Sequence, residues 1–336
     1  MSHEHRAAVL AGLGSWVPPT VVTNTMLAQR MDTSDEWIRS RTGIEQRHAV
    51  DPDTATSDLA VEAGGRALKA AGVDTVDLVV LATTTPDHPC PATAPDVASR
   101  LGLGAVPAYD LAAVCTGFLY ALANAAAMIS ARFVDTVLVI GAESFTTILD
   151  PTDRTTSAIF GDGAGAAVLR AGTRDEPGAL LGFDMGSDGT GAELIMVPGG
   201  GSRSRSRGDA PEDVDNYFRM QGKSVFMNAV VRMTESAQTV LDRVGWRADE
   251  VDRLVAHQAN LRIMHAVADR LGVERERAVV NIDRVGNTAA ASIPLALADA
   301  ATAGFVQPGQ RVLLTAFGGG LTWASAALTW PTITVA

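Results

Sequence analysis

His257-Gln258-Ala259-Asn260-Leu261-Arg262-Ile263 sets an imidazole, two amides and a guanidinium within seven residues, directly after the apolar run Arg253-Leu254-Val255-Ala256. Polar groups crowded at the carboxyl end of a strand face a pocket in α/β proteins. Two other segments carry matching chemistry. Cys115, one of only two cysteines, is followed by Thr116-Gly117-Phe118 where a strand signal gives way to a helix signal, and Asn287 follows Gly286 on a glycine turn. A thiol, an imidazole and an amide are the parts of a thiolate catalyst. An ordinary thiol, with a pKa of about 8.5, is mostly protonated at neutral pH. We expect Cys115 at the N-terminal end of a long apolar helix, where unpaired amides and aligned peptide dipoles favour negative charge. The three groups alone leave the acceptor open between water, as in Cys-His hydrolases, and a carbon nucleophile.

The elements that must position these groups repeat. In the first half a helical pattern over residues 58–71 ends at Gly72 and a strand-like run over 76–83 follows; in the second, a helical pattern over 224–244 ends at Gly245 and a run over 251–258 follows. Gly72 to Cys115 is 43 positions and Gly245 to Asn287 is 42, so cysteine and asparagine fall on corresponding turns of a duplicated plan. Each half then closes on a Phe-Gly-x-Gly turn before a small-residue strand, Phe160-Gly161-Asp162-Gly163 and Phe317-Gly318-Gly319-Gly320. Alternating strand and helix signals predict βαβ units, with a mostly parallel sheet in each half and helices covering it. The boundary is expected between residues 172 and 178, giving halves 1–174 and 175–336. Gly161-Asp162-Gly163-Ala164-Gly165-Ala166 fits a dinucleotide fingerprint only formally, because Ala167-Val168-Leu169 directly after it reads as a strand and the fingerprint has to open a helix.

The 336 residues are 47% hydrophobic and 19% charged, ample apolar material for an extensive core. A net charge of −11 without a long basic run argues against sequence-independent binding to nucleic acid or to an anionic membrane. Two cysteines are too few for a disulfide framework, and a free Cys115 suits a reducing cytoplasm. The N-terminal segment leads into a first strand at residues 7–17 and lacks the small-residue cleavage pattern of a signal peptide. Residues 111–131 run 21 positions without a charge, long enough to span a bilayer. Cys115, Thr116, Gly117, Asn124 and Ser130 interrupt that run and alanine dominates it, so a helix buried inside protein is expected. His3, His5, His48, His88 and His265 lack ligand spacing, and no metal is expected. Residues 198–208, with Arg203, Arg205 and Arg207 among Gly and Ser, read as a solvated flexible loop or as a basic lip for an acidic carrier or a phosphate.

The Cys115, His257 and Asn287 segments, with Ala316-Phe317-Gly318-Gly319-Gly320-Leu321-Thr322-Trp323, resemble the ketoacyl-ACP synthase III family of the thiolase superfamily. Asp32-Thr33-Ser34-Asp35-Glu36-Trp37, Arg41-Thr42-Gly43-Ile44, Asp150-Pro151-Thr152-Asp153-Arg154 and the stretch from Phe160 to Ala167 match too, in the family's order and over essentially the whole chain. The resemblance implies an α/β, thiolase-like duplicated fold, two βαβ-type halves in α/β/α/β/α layers, working as a homodimer without cofactor. It implies that Cys115 takes an acyl group from acyl-CoA, and that malonyl on acyl carrier protein (ACP) loses CO2 and attacks it. The products are 3-ketoacyl-ACP, CO2 and CoA, at the start of fatty acid or polyketide synthesis. By the same resemblance His257 and Asn287 hold the enolate, and the backbone amides of Cys115 and Gly319 hold the tetrahedral oxyanion. Trp37 is carried over to stacking on the CoA adenine, Arg41 and Arg154 to the nucleotide, Gly222 and Asn260 to the pantetheine arm, Thr33 to CoA or its pantetheine, and Arg262 to docking of the carrier protein.

One departure from the family has consequences. Acetyl-using relatives often carry Phe where this chain has Cys90, in Asp87-His88-Pro89-Cys90-Pro91-Ala92-Thr93, and the family inserts that side chain into the partner subunit's acyl pocket. Cysteine is smaller, so longer or branched starters are expected to fit. Two alternative activities remain: transfer of the acyl group to a hydroxyl or amine of a small molecule on the same fold, and a non-catalytic acyl-binding partner of a synthase. The intact Asn287 favours condensation over the first, and the complete catalytic set disfavours the second.

Overall fold

Leu78-Val79-Val80-Leu81-Ala82 is buried at every position, the mark of a strand covered on both faces. It is an inner strand of the first of two main sheets in the computed structural model, which describes residues 6–207 and 213–336. In chain order the strands are β1 (Arg6–Trp16), β2 (Thr20–Thr23), β3 (Gln46–Ala49), β4 (Leu78–Ala82), β5 (Ala108–Leu111), β6 (Thr136–Glu143) and β7 (Gly163–Thr173). After them come β8 (Leu180–Ser187), β9 (Ile195–Met196), β10 (Arg219–Met220), β11 (Arg253–Ala256), β12 (Arg311–Gly318) and β13 (Thr322–Thr329). The first sheet runs β1-β7-β6-β4-β5 and the second β11-β12-β13-β8.

The expected duplication is present. The helix Thr56–Ala71 ends on left-handed Gly72, and Gly222–Val244 ends on left-handed Gly245. Glycine suits both caps because that backbone conformation carries no Cβ penalty. Helices Gly117–Ser130 and Ser292–Thr302 lie between the sheets, sharing one core with strands of both. Thr56–Ala71 covers the outer face of the first sheet, while Gly222–Val244 and Leu261–Leu271 cover that of the second. The elements thus stack in five layers, α/β/α/β/α.

The sheets are mixed, which corrects the expectation of mostly parallel ones. β4 is parallel to β5 and β6, and β11 to β12, but β1–β7, β6–β7, β12–β13 and β13–β8 are antiparallel. For β12–β13 the reason is connection length. Only Gly319, Gly320 and Leu321 join β12 to β13, and a parallel pair needs a crossover of a dozen residues or more.

The uncharged run at 111–131 folds as a 3-10 turn, Val114–Thr116, and the helix Gly117–Ser130 in the middle layer; no helix among the described residues is long and apolar enough to cross a membrane. Gly163–Thr173 is a strand, so the formal dinucleotide fingerprint opens no helix. Ser202–Ser206 forms one exposed helical turn where coil was expected, with Ser204 Oγ donating to Gly201 O. Gly208, the end of that segment, lies outside the described residues.

Candidate active site

The nucleophile candidate sits where the middle layer meets the first sheet. β5 ends at Leu111, and the chain turns through Val114-Cys115-Thr116 into the helix starting at Gly117. Val114, a β-branched residue, is held at φ 48, an outlier of the sort concentrated at functional turns. Gly286 has φ 71 immediately before Asn287, so the two corresponding turns share a left-handed residue just ahead of the functional one. The tail of β12 closes over Cys115. A Cβ on Gly318 would come within 2.8 Å of the Cys115 amide nitrogen, so only glycine permits this approach. Gly319 comes next, facing Ile195, and its N–H has no backbone acceptor among the described residues.

His257 leaves β11 one residue past its end, its amide bonded to Thr315 O at 2.8 Å. The ring's Nδ1 lies 2.6 Å from Ser292 Oγ, which leaves Nε2 as its free polar atom. Asn287 is pinned by its main chain to Ile159 O and to Gly161 N at 2.9 and 3.0 Å. The Ala289 amide donates to Asn287 Oδ1 at 2.9 Å, so Nδ2 is the end left to donate. Cys115, His257 and Asn287 all line one narrow cavity of about 40 Å³. Phe160 and Phe218 bound it, and with Phe145 they form an aromatic cluster whose ring centroids lie 4.3 to 5.1 Å apart.

Burial governs the charges here. It lowers the His257 pKa to about 3, so the ring is neutral at any ordinary pH. Burial also pushes the Cys115 thiol up, and the Glu143 carboxylate adds to that, while the cysteine's own amide opposes it. Burial and Glu143 thus work against the acidification of Cys115 expected from the helix terminus. Glu143, buried at the end of β6, is itself raised to about 7 by desolvation, against hydrogen bonds from Thr84 and Thr85. The arrangement offers a thiol nucleophile, a neutral imidazole and an amide donor in a narrow pocket, with no nearby group acting as a strong base.

A second cavity, of about 520 Å³, leads outward from this one; both are lined by Asn287, Met220 and Ile263. Trp37, Arg41, Gly222, Asn260 and Arg262 line it. The Arg41 and Arg154 guanidinium groups lie 4.7 and 5.2 Å from the Trp37 ring centroid. Arg154 also donates to Asp32 O at 2.6 Å. Asn260 caps the helix Leu261–Leu271 through Oδ1, and its Nδ2 donates to Arg41 O at 2.9 Å, tying two tunnel walls together. Thr33 is not among the lining residues, although its hydroxyl is buried without a partner. Cys90 is exposed and borders neither cavity of the single chain.

Sequence reasoning passed over three contributors. Ser292 lies five residues past Asn287 with nothing local to give it a role; Glu143 lies in an apolar strand with nothing local to mark it; Gly318, one residue before the expected Gly319, makes the close contact with the Cys115 backbone. Among the described residues no three metal-binding side chains come together.

Residues 109–189 match the family model described as 3-oxoacyl-[acyl-carrier-protein (ACP)] synthase III, and residues 241–330 match its C-terminal companion. A beta-ketoacyl-[acyl-carrier-protein] synthase III of Streptomyces coelicolor is 65% identical over 328 residues, 98% of each chain. One from Pseudomonas aeruginosa is 55% identical over the same length and 98% of each chain. The crystal structure of a Pseudomonas aeruginosa 3-oxoacyl-(acyl carrier protein) synthase III superposes with a TM-score of 0.92 at 53% identity, over 98% of this chain and 99% of that one. The priming beta-ketosynthase of the R1128 polyketide pathway superposes with a TM-score of 0.90 at 36% identity, over 98% and 97% of the two chains.

Proposed function

Since the chain belongs to the 3-oxoacyl-[acyl-carrier-protein] synthase III family, we propose that it opens chain synthesis by decarboxylative Claisen condensation with Cys115, His257 and Asn287 as its catalytic residues. The observation that carries this assignment is the convergence of those three side chains, from two halves of the fold, on one cavity at the end of a tunnel.

In the first half-reaction the Cys115 sulfur attacks the acyl-CoA thioester. The oxyanion is held by the amides of Cys115 and Gly319; CoA leaves as the thiol, taking the proton that Cys115 gives up. Malonyl-ACP then enters the same tunnel. Its carboxylate carbon departs as CO2, and the bonding pair moves into an enolate whose oxygen accepts from neutral His257 and from Asn287 Nδ2. The enolate carbon attacks the acyl carbon on Cys115. Collapse releases 3-ketoacyl-ACP and the Cys115 thiolate, which takes up a proton. No cofactor enters this sequence.

The tunnel suits a pantetheine arm, with Gly222 and Asn260 along it and Trp37, Arg41 and Arg154 at the nucleotide end. Thr33 beside that end brings an unpaired hydroxyl. Arg262, on the mouth-side helix, is the docking contact for acidic ACP. The enzyme works in the cytoplasm as a homodimer, with Cys90 of each subunit reaching the other's acyl pocket. Incubation with acetyl-CoA tests the assignment: the wild type gains one acetyl group by intact mass, and Cys115→Ala gains none. Acetylation that persists in Cys115→Ala removes Cys115 as the nucleophile.

A further inference from the structure

We propose that Ser292 fixes the tautomer of His257, placing the ring proton on Nε2, so that the imidazole meets the substrate as a hydrogen-bond donor. This rests on the condensing function above and adds a positioning residue to it.

Ser292 opens the helix Ser292–Thr302 and is fully buried. Its Oγ is 2.6 Å from His257 Nδ1, and the Gln258 N–H points at the same oxygen from 3.4 Å. A backbone N–H only donates, so it takes a lone pair of Oγ. The hydroxyl keeps one proton to give, and among its hydrogen bonds Nδ1 is the acceptor left. Nδ1 therefore accepts, and the single proton of a neutral imidazole sits on Nε2. Burial keeps the ring neutral, and His257 faces the cavity shared with Cys115 and Asn287.

The neighbourhood holds this arrangement in place. Gln258 Oε1 accepts from the Asn281 and Ile282 amides at 3.0 and 3.3 Å, while its Nε2 donates to Ala256 O and Val279 O at 2.8 and 3.1 Å. The residue whose amide aims at Ser292 is thus held by four hydrogen bonds of its side chain. The polarity is the reverse of a Ser-His-Asp hydrolase, in which an acceptor takes Nδ1–H and leaves Nε2 as a base. A serine donating to Nδ1 makes Nε2 unfit to take a proton from water and fit to stabilise an enolate. Ser292 lies five residues after Asn287, so one short segment carries one enolate donor and orients the other.

The test is two-bond 1H–15N correlation on histidine-labelled enzyme near neutral pH, with the His257 signals assigned by their loss in His257→Gln. The proposal expects the Nε2–H pattern in the wild type. In Ser292→Ala it expects that pattern lost, condensation with malonyl-ACP down by about 10²-fold, and acetylation of Cys115 by acetyl-CoA retained. An Nδ1–H tautomer in the wild type overturns it, as does a Ser292→Ala enzyme that condenses at the wild-type rate. The wild-type spectrum decides even where the variant does not fold. Acetylation is the separate marker: a wild type that shows the Nε2–H pattern but never acetylates leaves the tautomer standing and defeats the condensing function.

Discussion

Replacing Glu143 with Gln isolates the charge that opposes ionisation of the Cys115 thiol. Glu143 Oε1 accepts from the Thr84 and Ala290 amides at 3.1 and 3.4 Å, and Oε2 from the Thr84 amide and Thr85 Oγ1 at 3.0 and 2.9 Å. None of these partners is a cation, and burial raises the carboxyl from 4.5 to about 7. A folded pKa above the unfolded one means that the native state holds its proton longer. Stability present below 4.5 is lost as pH rises through about 7, a change of about 3 kcal/mol. Glutamine is neutral throughout. Its oxygen can keep the Thr84 and Ala290 amides, and its NH2 meets Thr85 Oγ1, whose proton can turn to Thr56 Oγ1 at 3.1 Å. That rearrangement costs about 1 kcal/mol. Glu143→Gln should therefore match the wild type to within about 1 kcal/mol near pH 5, where the unfolded carboxyl is already mostly ionised, and be more stable by about 2 kcal/mol near pH 8. Urea unfolding of both proteins at the two pH values measures this. A stability difference that does not change with pH would refute the reasoning. Alkylation of Cys115 by iodoacetamide reads the same charge: its pH profile should move to lower pH in Glu143→Gln.

Asn287→Ala removes the proposed enolate donor and leaves the thiol in place, so acetylation should survive while condensation falls by about 10²-fold; equal loss of both steps contradicts this division. Gly318→Ala drives a methyl to 2.8 Å from the Cys115 amide and should abolish acetylation in a protein that still folds by circular dichroism. Because His257 stays neutral down to about pH 3, malonyl-ACP decarboxylation should show no titration near the ordinary histidine pKa, and a break there in the rate profile would mean that the ring is protonated in turnover. Cys90→Phe should shift the competition between acetyl-CoA and a longer acyl-CoA towards acetyl, by about fourfold for each methylene excluded at about 0.8 kcal/mol; an unchanged ratio places starter selection elsewhere, with the Phe145, Phe160 and Phe218 cluster next in line.

The layered duplicated fold was legible because its signals are local: paired helices ending on Gly72 and Gly245, and the apolar runs after them. The antiparallel pairs were not, since periodicity reports burial and says nothing of strand direction; the short Gly319 to Leu321 link was the available clue. Cys115, His257 and Asn287 were legible as residue types on strand-end turns. Their electrostatics were not. Helix position alone argued for an acidic Cys115, whereas its pKa depends on burial and on Glu143, which stands 28 residues away in an apolar strand. Ser292 was equally hidden, because its bond to His257 joins positions 35 residues apart. Gly318 and Gly319 could not be told apart in a run of three glycines until the backbone showed which one touches the nucleophile.

The most direct measurement is a two-step chase on the intact protein. Acetyl-CoA is added and excess removed, peptide mapping locates the label, and malonyl-ACP is then supplied. The account predicts one acetyl group on Cys115 that leaves the enzyme as 3-ketoacyl-ACP, with CO2 released in equal amount. Label on another residue, or acetyl that leaves only as free acetate or on a small-molecule acceptor while malonyl-ACP keeps its carboxylate, would contradict it.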